Sequence, residues 1–121
     1  MEFTSDAPIY VQIAEQIRAQ ILTGDLASGD QIMSTTQYAT TYRINPATAN
    51  KAFGQLVQEG LIEKRRGLGM FVTEQAADLL RDEGRRAYRE QVLAPALERG
   101  RALGLTPEQI RDLALSILEE S

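Results

Sequence analysis

The 121-residue sequence contains no cysteine, no histidine and no tryptophan. Without cysteine, the chain can form neither a disulfide nor a thiolate nucleophile. Without histidine, it lacks the commonest general base and metal ligand, and a zinc site built from Cys and His is excluded. A P-loop, a dinucleotide fingerprint and a nucleophile elbow are also missing from the sequence. These absences predict a protein that is not an enzyme and that holds neither a metal nor a cofactor.

Long hydrophobic runs are missing as well. No stretch approaches the roughly 18 apolar residues of a membrane-spanning helix. The amino terminus, residues 1–6, is polar and acidic and lacks the basic-then-apolar layout of a signal peptide. Hydrophobic residues make up 43% of the chain and charged residues 25%, values typical of globular proteins. We expect a soluble, cytoplasmic protein with one compact domain, or a small domain with an appendage.

The net charge of −4 argues by itself against a nucleic-acid partner, but the charges are segregated along the chain. Residues 1–33 carry a net −4, residues 34–72 a net +3, and residues 73–121 a net −3. A partner responds to the local field, because charges more than roughly 8–10 Å apart are largely screened. The middle third is therefore the part suited to an anionic partner.

Three helices are predicted in the first half of the chain. The first spans about residues 8–23 and ends at Gly24; isoleucines recur every four residues along it, and residues 25–30 form a loop. The second begins at Ser34, which opens a capping box. After a tight turn, Asn45 and Pro46 start a third helix that runs to about Glu59. The predicted buried residues of the second and third helices are Tyr38, Ala39, Tyr42, Ala49, Ala52, Phe53, Leu56 and Val57.

The second half begins with a predicted β-hairpin, formed by residues 61–65 and 70–73 around a glycine-containing turn. Helical periodicity follows over residues 76–103, where Pro95 should kink or break the helix because it cannot donate a hydrogen bond to Gln91. A second capping box at Thr106 starts a final amphipathic helix. The predicted fold is mainly α with a β-hairpin wing: a winged helix-turn-helix domain followed by a helical tail.

A winged helix-turn-helix predicts a DNA-binding function. The third helix fits the major groove, and the amino-terminal turns of such a helix meet the bases. Asn50 can pair with adenine, Lys51 can reach guanine, and the methyl group of Thr48 can touch a thymine methyl. Arg43 in the turn and the basic residues 64–66 on the wing are placed to neutralise phosphates.

Each of these assignments has a plainer alternative. The basic run 64–66 could be a solvated surface, and Asn50 and Lys51 could be ordinary exposed helix residues; the hairpin and helix-turn-helix context favours DNA contact. The apolar face of the last helix could pack on its own domain or on a second subunit, and we favour the subunit. Acidic residues near Asp78 alternate with arginines at helical spacing, which indicates surface ion pairs rather than a catalytic pair.

Residues 8–73 resemble the DNA-binding domain of the GntR family of bacterial transcription regulators. The matching residues are Pro8-Ile9-Tyr10, Gln12-Ile13, Gly24-Asp25-Leu26, Gly29, Ser34, Ala39, Ile44-Asn45-Pro46-Ala47-Thr48, Ala52, Leu56, Gly60-Leu61-Ile62 and Gly67-Leu68-Gly69-Met70-Phe71-Val72. One departure concerns Thr36, which stands where the family commonly has a DNA-contacting arginine. Ala49 also replaces the valine that the family prefers.

The short tail resembles that of the YtrA-type subfamily, whose members are dimers that often repress transporter operons. The resemblance implies a DNA-binding domain over residues 1–75 and a dimerisation region over residues 76–121. It also implies a homodimeric repressor that binds a palindromic operator with half-site centres roughly 34 Å apart. The alternative is a winged-helix protein-interaction adaptor that does not read DNA. No residue indicates a small-molecule effector, and that partner stays open.

These arguments yield two sets of predicted site residues. The DNA-binding set is Ser34, Thr35, Thr36, Arg43, Asn45, Ala47, Thr48, Asn50, Lys51, Lys64, Arg65, Arg66, Gly67 and Gly69. The dimer-interface set is Leu79, Leu80, Tyr88, Val92, Leu93, Leu97, Ile110, Leu113, Ala114, Ile117 and Leu118.

Overall fold

The computed structural model describes residues 7–121, so residues 1–6, where the sequence predicts no signal peptide, lie outside the described residues. The chain divides into two compact units between Arg81 and Asp82. This division falls inside a helix, and the boundary at residues 75 and 76 stays a prediction. Within residues 7–121, no helix is both long and apolar enough to cross a bilayer.

The first unit combines three helices with a small antiparallel sheet. Its elements are α1 (Ile9–Thr23), β1 (Gln31–Ile32), α2 (Thr35–Tyr42), α3 (Pro46–Gln58), β2 (Ile62–Arg65), β3 (Gly69–Val72) and the first part of α4 (Ala76–Ala87). Helices α2 and α3 form the helix-turn-helix, and strands β2 and β3 form the wing. This element order is the one that the sequence predicts.

The predicted helix ends are present as hydrogen-bonded caps. The Ser34 side chain accepts a hydrogen bond from the Gln37 amide at 3.1 Å, and the Asn45 side chain accepts one from the Ala47 amide at 2.8 Å. Gly24 ends α1 in the left-handed conformation at φ +89°. These caps satisfy backbone groups that a helix end leaves without partners, and they fix the length of the turn between α2 and α3.

The core of the first unit lies where α1, α3 and the sheet meet. Its largest fully buried side chains are those of Ile13, Leu56, Leu61, Ile62 and Val72. Helix α2 is attached to this core through its aromatic residues, because the Tyr38 ring lies between Tyr42 and Phe53 at centroid distances of 4.6 and 5.5 Å. Packing from three sides holds the helix-turn-helix at a fixed angle to the wing.

One predicted core residue is wrong. Val57 is 44% exposed, whereas its neighbour Leu56 is fully buried. Successive residues on a helix are rotated by about 100°, so Val57 lies at the edge of the apolar stripe rather than at its centre. It lines a surface groove next to the wing. The other predicted stripe positions of α3, from Ala49 to Leu56, are buried.

The sheet contains a strand that the sequence does not indicate. Strand β1 pairs with β3 in antiparallel register, Gln31 opposite Phe71, which gives the strand order β1-β3-β2. Two residues are too few to show the alternation that identifies a strand. Because of this pairing, β3 is the central strand of the sheet.

The second unit is entirely helical. It continues from α4 through a π-helical turn (Tyr88–Leu93) into α5 (Ala94–Ala102) and, after a short connection, α6 (Pro107–Glu120). The predicted kink or break at Pro95 takes the form of this wider turn, in which the Ala94 amide donates to the Arg89 carbonyl five residues earlier. A π-turn accommodates the proline because the hydrogen-bonding register has already shifted when the ring is reached.

Helix α6 begins with the predicted capping box in full. The Gln109 amide donates to the Thr106 hydroxyl at 3.1 Å, and the Thr106 amide donates to the Gln109 side chain at 2.9 Å. Helices α5 and α6 approach closely at Gly100, where an added Cβ would lie 3.1 Å from the Ile110 side chain. A glycine at this position therefore sets the separation of the two helices.

An ion pair connects α1 with the end of α3, and its loss should give a measurable pH dependence. Arg18 donates to both carboxylate oxygens of Glu59 at 2.9 and 2.7 Å, and these hydrogen bonds lower the pKa of Glu59 below the usual value of 4.5. A carboxylate with a lowered pKa contributes stability above pH 4.5, and this contribution is lost as the pH falls through the folded-state pKa. Because the Glu59 side chain is 36% exposed, solvent screening limits the contribution to about 0.5–1 kcal/mol.

We therefore expect Glu59→Gln to lower the free energy of unfolding by about 0.5–1 kcal/mol at pH 7 and by much less at pH 3. Urea denaturation of both proteins at the two pH values measures this difference. Asp82→Asn, which removes a carboxylate from a more exposed pair, is the matched control. An equal effect of Glu59→Gln at both pH values would contradict the assignment.

Candidate nucleic-acid interface

The amino-terminal turns of α3 present the polar residues that the sequence selects. Ala47, Asn50 and Lys51 are exposed, and Thr48 is half-buried. The Asn45 side-chain oxygen is engaged in capping the helix, which leaves its amide nitrogen for an external acceptor. Free amides at a helix start attract anions, so this end of α3 can meet both a base edge and a phosphate.

Lys51 is held in place by an aromatic ring of α1. Its Nζ lies 4.2 Å from the centroid of the Tyr10 ring, a cation–π distance. The contact reduces the freedom of a side chain that would otherwise sample many rotamers, while the residue stays exposed. Tyr10, which the sequence predicts as a core residue, is half-buried and has this second role.

The start of α2 and the turn after it contribute further predicted contacts. Ser34 and Thr36 are exposed and Thr35 is half-buried. Arg43 is exposed in the turn at φ +54°, the left-handed region that favours glycine. Helix α2 itself contains no charged residue, so only neutral hydroxyl and amide groups are available on its surface, including Thr36 at the position of the family arginine.

The three wing cations have different surroundings. Arg65 donates to Glu63 at 3.2 Å, and its guanidinium lies 4.3 Å from the centroid of the Phe71 ring. Within residues 7–121, neither Lys64 nor Arg66 forms an ion pair, so both ammonium and guanidinium groups are available to a partner. Arg65 is fixed against the sheet, and its neighbours carry the more accessible charge.

A surface groove of about 450 Å³ brings residues from three elements together. Ser34 and Thr35 come from α2, Asn50 and Gly54 from α3, and Lys64 from the wing; Phe53, Val57, Gly69 and Met70 complete the lining. The structure thus places predicted DNA contacts that are up to 35 positions apart in sequence, Ser34 to Gly69, along one face of the first unit.

Sequence reasoning missed two residues of the wing tip. Leu68 is 65% exposed between Gly67 and Gly69, and the Gln31 side-chain amide donates to the Leu68 carbonyl at 2.9 Å. The position of Leu68 at the tip of a predicted hairpin was a signal for exposure. Gln31 gave no signal, because its strand was not predicted.

The predicted dimer-interface residues of the second unit are largely exposed. Ile117 and Leu118 on α6 are 64% and 69% exposed, and Tyr88 is 57% exposed. A groove of about 560 Å³ runs between α5 and α6, lined by Leu93, Leu97, Ile110, Ala114 and neighbouring residues. In the first unit, Leu80 packs against the core and Leu79 lies near Gly60. The interface assignment stays a prediction.

Comparison with known proteins decides the family. The model of the bacterial regulatory proteins of the gntR family matches residues 9–72, more than half of the chain. The chain belongs to the GntR family. The matched segment begins at α1 and ends at β3, so it contains the whole helix-turn-helix and the wing.

Two relatives of this GntR-family chain come from Bacillus subtilis strain 168. The HTH-type transcriptional regulator YhcF is 33% identical over 109 residues, which cover 90% of this chain and 88% of YhcF. The HTH-type transcriptional repressor YtrA is 36% identical over 88 residues, 73% of this chain and 68% of YtrA. The predicted resemblance to the GntR family and to YtrA-type regulators is therefore confirmed.

Solved structures agree with the fold of this GntR-family chain. A transcriptional regulator from Oenococcus oeni has a TM-score of 0.80 at 27% identity and covers 98% of this chain and 97% of its own. The DNA-binding domain of AraR, solved in complex with an operator, has a TM-score of 0.53 at 30% identity over 60% of this chain and 86% of its own. The chain is thus a winged-helix, DNA-binding transcription regulator, and its individual contacts stay predictions.

Proposed function

We propose that this GntR-family chain is a homodimeric repressor that binds a palindromic operator. The observation that carries the proposal is the exposed amino-terminal face of α3 beside a wing with two unpaired cations, Lys64 and Arg66, among the described residues. An α-helix of this width fits the major groove, and the basic wing neutralises phosphates alongside it.

The apolar surface of the second unit supports the homodimer. Ile117 and Leu118 expose more than half of their surface, and the groove between α5 and α6 adds further apolar area. An amphipathic helix requires a surface against which to bury its apolar face, and a second copy supplies the same groove and the same stripe. Two recognition helices related by a twofold axis would read half-sites roughly 34 Å apart.

The direction of regulation and the target genes rest on similarity. YtrA, with which this chain shares 36% identity, is named as a repressor. From the YtrA-type resemblance we extend the proposal to a transporter operon, regulated in the cytoplasm where the operator is accessible. No described residue points to a small-molecule effector, and the proposal does not require one.

A protein-interaction adaptor is the alternative function. The uncharged surface of α2 and the net charge of −4 favour it, since both weaken attraction to phosphates. The accessible wing cations favour DNA. One experiment separates the two functions: the mass in solution is measured first, and bound sequences are then selected from random DNA in a shift assay over a range of salt concentrations.

A dimer that enriches a palindrome and loses affinity as salt rises would support the repressor. A dimer that enriches no sequence even at low salt would instead support the adaptor. A monomer would contradict the assignment of the second unit to dimerisation.

Asn50 is expected to determine part of the operator sequence. Asn50→Ala removes the amide that can pair with adenine, so we expect about 10- to 100-fold weaker binding to the parent operator and a changed preference at one base pair per half-site. Binding to non-specific DNA should stay unchanged, because phosphate contacts are retained. Repeating the selection with the variant measures both effects.

Gln58→Ala is the matched control, since Gln58 is an exposed amide at the other end of the same helix. It should leave both affinity and preference unaltered. If Asn50→Ala recovered the wild-type palindrome with wild-type affinity, Asn50 would not read a base.

A further inference from the structure

The wing tip combines one exposed apolar side chain with a surrounding group of cations. Leu68 is 65% exposed, and Lys64, Arg65 and Arg66 precede it along the same hairpin. A polar partner surface would offer nothing to a leucine. A groove walled by phosphates and floored by base edges and sugars offers both charge for the cations and an apolar surface for Leu68.

Several contacts hold this tip in one conformation. The Leu68 amide donates to the Arg65 carbonyl at 2.9 Å, and the Gln31 side chain donates to the Leu68 carbonyl at 2.9 Å. Gly69, at φ +119°, allows this approach, because a Cβ there would lie 2.7 Å from the Gln31 amide nitrogen. A tip that is already ordered loses little conformational entropy when it enters a groove.

We propose that Leu68 is a specificity-determining residue that contacts the floor of the DNA minor groove and selects A·T base pairs, and that Gln31 is its positioning residue. This inference rests on the proposed function, because it requires that α3 occupies the major groove. A hairpin beside that helix then crosses one phosphate backbone and reaches the adjacent minor groove.

The chemistry of the two kinds of base pair gives the selectivity. In the minor groove, a G·C pair projects the N2 amino group of guanine from the floor, whereas an A·T pair does not. Leucine has no acceptor for that amino group, so contact with G·C would leave a donor without water or a partner. Contact with A·T avoids this loss and covers an apolar surface.

Inosine provides a probe that separates the two grooves. An inosine·cytosine pair presents the major-groove pattern of G·C but lacks the minor-groove amino group. Each base pair flanking the half-sites of the selected operator is replaced in turn by A·T, G·C and inosine·cytosine, and the dissociation constants are measured. We expect the wild-type protein to prefer A·T over G·C about ten-fold at one position per half-site, and to bind inosine·cytosine as it binds A·T.

Variants then assign the preference to residues. Leu68→Ala should reduce the ten-fold discrimination to less than about two-fold. Gln31→Met, which keeps the length of the side chain but removes the donor, should reduce it similarly without changing the free energy of unfolding. Lys64→Ala is the matched control: it should weaken binding to all three base pairs equally.

Two results would overturn the inference. One is a wild-type protein that binds inosine·cytosine as poorly as G·C, or that shows no A·T preference at any flanking position. The other is retention of the full discrimination by Leu68→Ala. Both outcomes leave the repressor proposal intact, because that proposal fails only if wild-type protein enriches no operator at all.

Discussion

Replacing Lys64, Arg65 and Arg66 together with alanine is expected to weaken operator binding about 100-fold at about 150 mM salt. Each phosphate that a cation neutralises releases condensed counterions, so the loss of three cations per protomer should also flatten the salt dependence. The logarithmic slope should decrease by about 0.9 for each phosphate contact removed. Because the three residues are exposed, the fold should be retained.

A shift assay at four salt concentrations measures both quantities, on the operator and on random DNA. The loss should be similar on the two, since phosphate contacts carry no sequence information. A triple variant of Arg85, Arg86 and Arg99 removes the same charge from exposed positions of the second unit and should change the slope little. Wild-type affinity of the wing variant at about 150 mM salt would show that the wing does not contact phosphates.

Placing glutamates at Ile117 and Leu118 should convert the dimer to a monomer and reduce operator affinity by at least about 100-fold. The two residues are 64% and 69% exposed, so the substitutions cost the isolated protomer little stability. In a dimer, the same glutamates would be buried without a partner, which is far more costly than a surface position. Binding of one protomer alone also loses the second half-site.

Sedimentation and the shift assay, performed on the same protein preparation, test this result. A second double variant, with glutamates at Leu115 and Ser116, adds the same charge to the other side of α6 and should stay dimeric. If both double variants were dimers with unchanged affinity, another surface of the chain would have to form the interface.

The backbone of the reading surface could be predicted because its signals are local. Ser34, Asn45 and Thr106 each combine a capping residue with a helix-compatible sequence, and each caps a helix in the structure. Glycines in the turn between Arg65 and Met70 likewise indicate the hairpin. Such signals span only a few residues, so tertiary packing does not need to be known.

The features that were missed depend on contacts between distant segments. Strand β1 consists of two residues and is defined by pairing with β3, about forty positions later, so no local pattern identifies it. The Gln31–Leu68 hydrogen bond and the Lys51–Tyr10 contact have the same origin. Residue type predicted which side chains could meet DNA, but only the fold shows that Arg65 is fixed by Glu63 while Lys64 lines the groove.

The π-helical turn before Pro95 makes the length of the tail helix and the identity of one residue interdependent. A wider turn accommodates one residue more than an α-helix would in the same space. Deleting a single residue from Tyr88–Leu93 would restore α-helical register and bring the proline ring against the Gln91 carbonyl region. In an evolving lineage, loss of that residue and loss of the proline are therefore expected to occur together, whereas either change alone would disturb the order in which the apolar side chains follow one another.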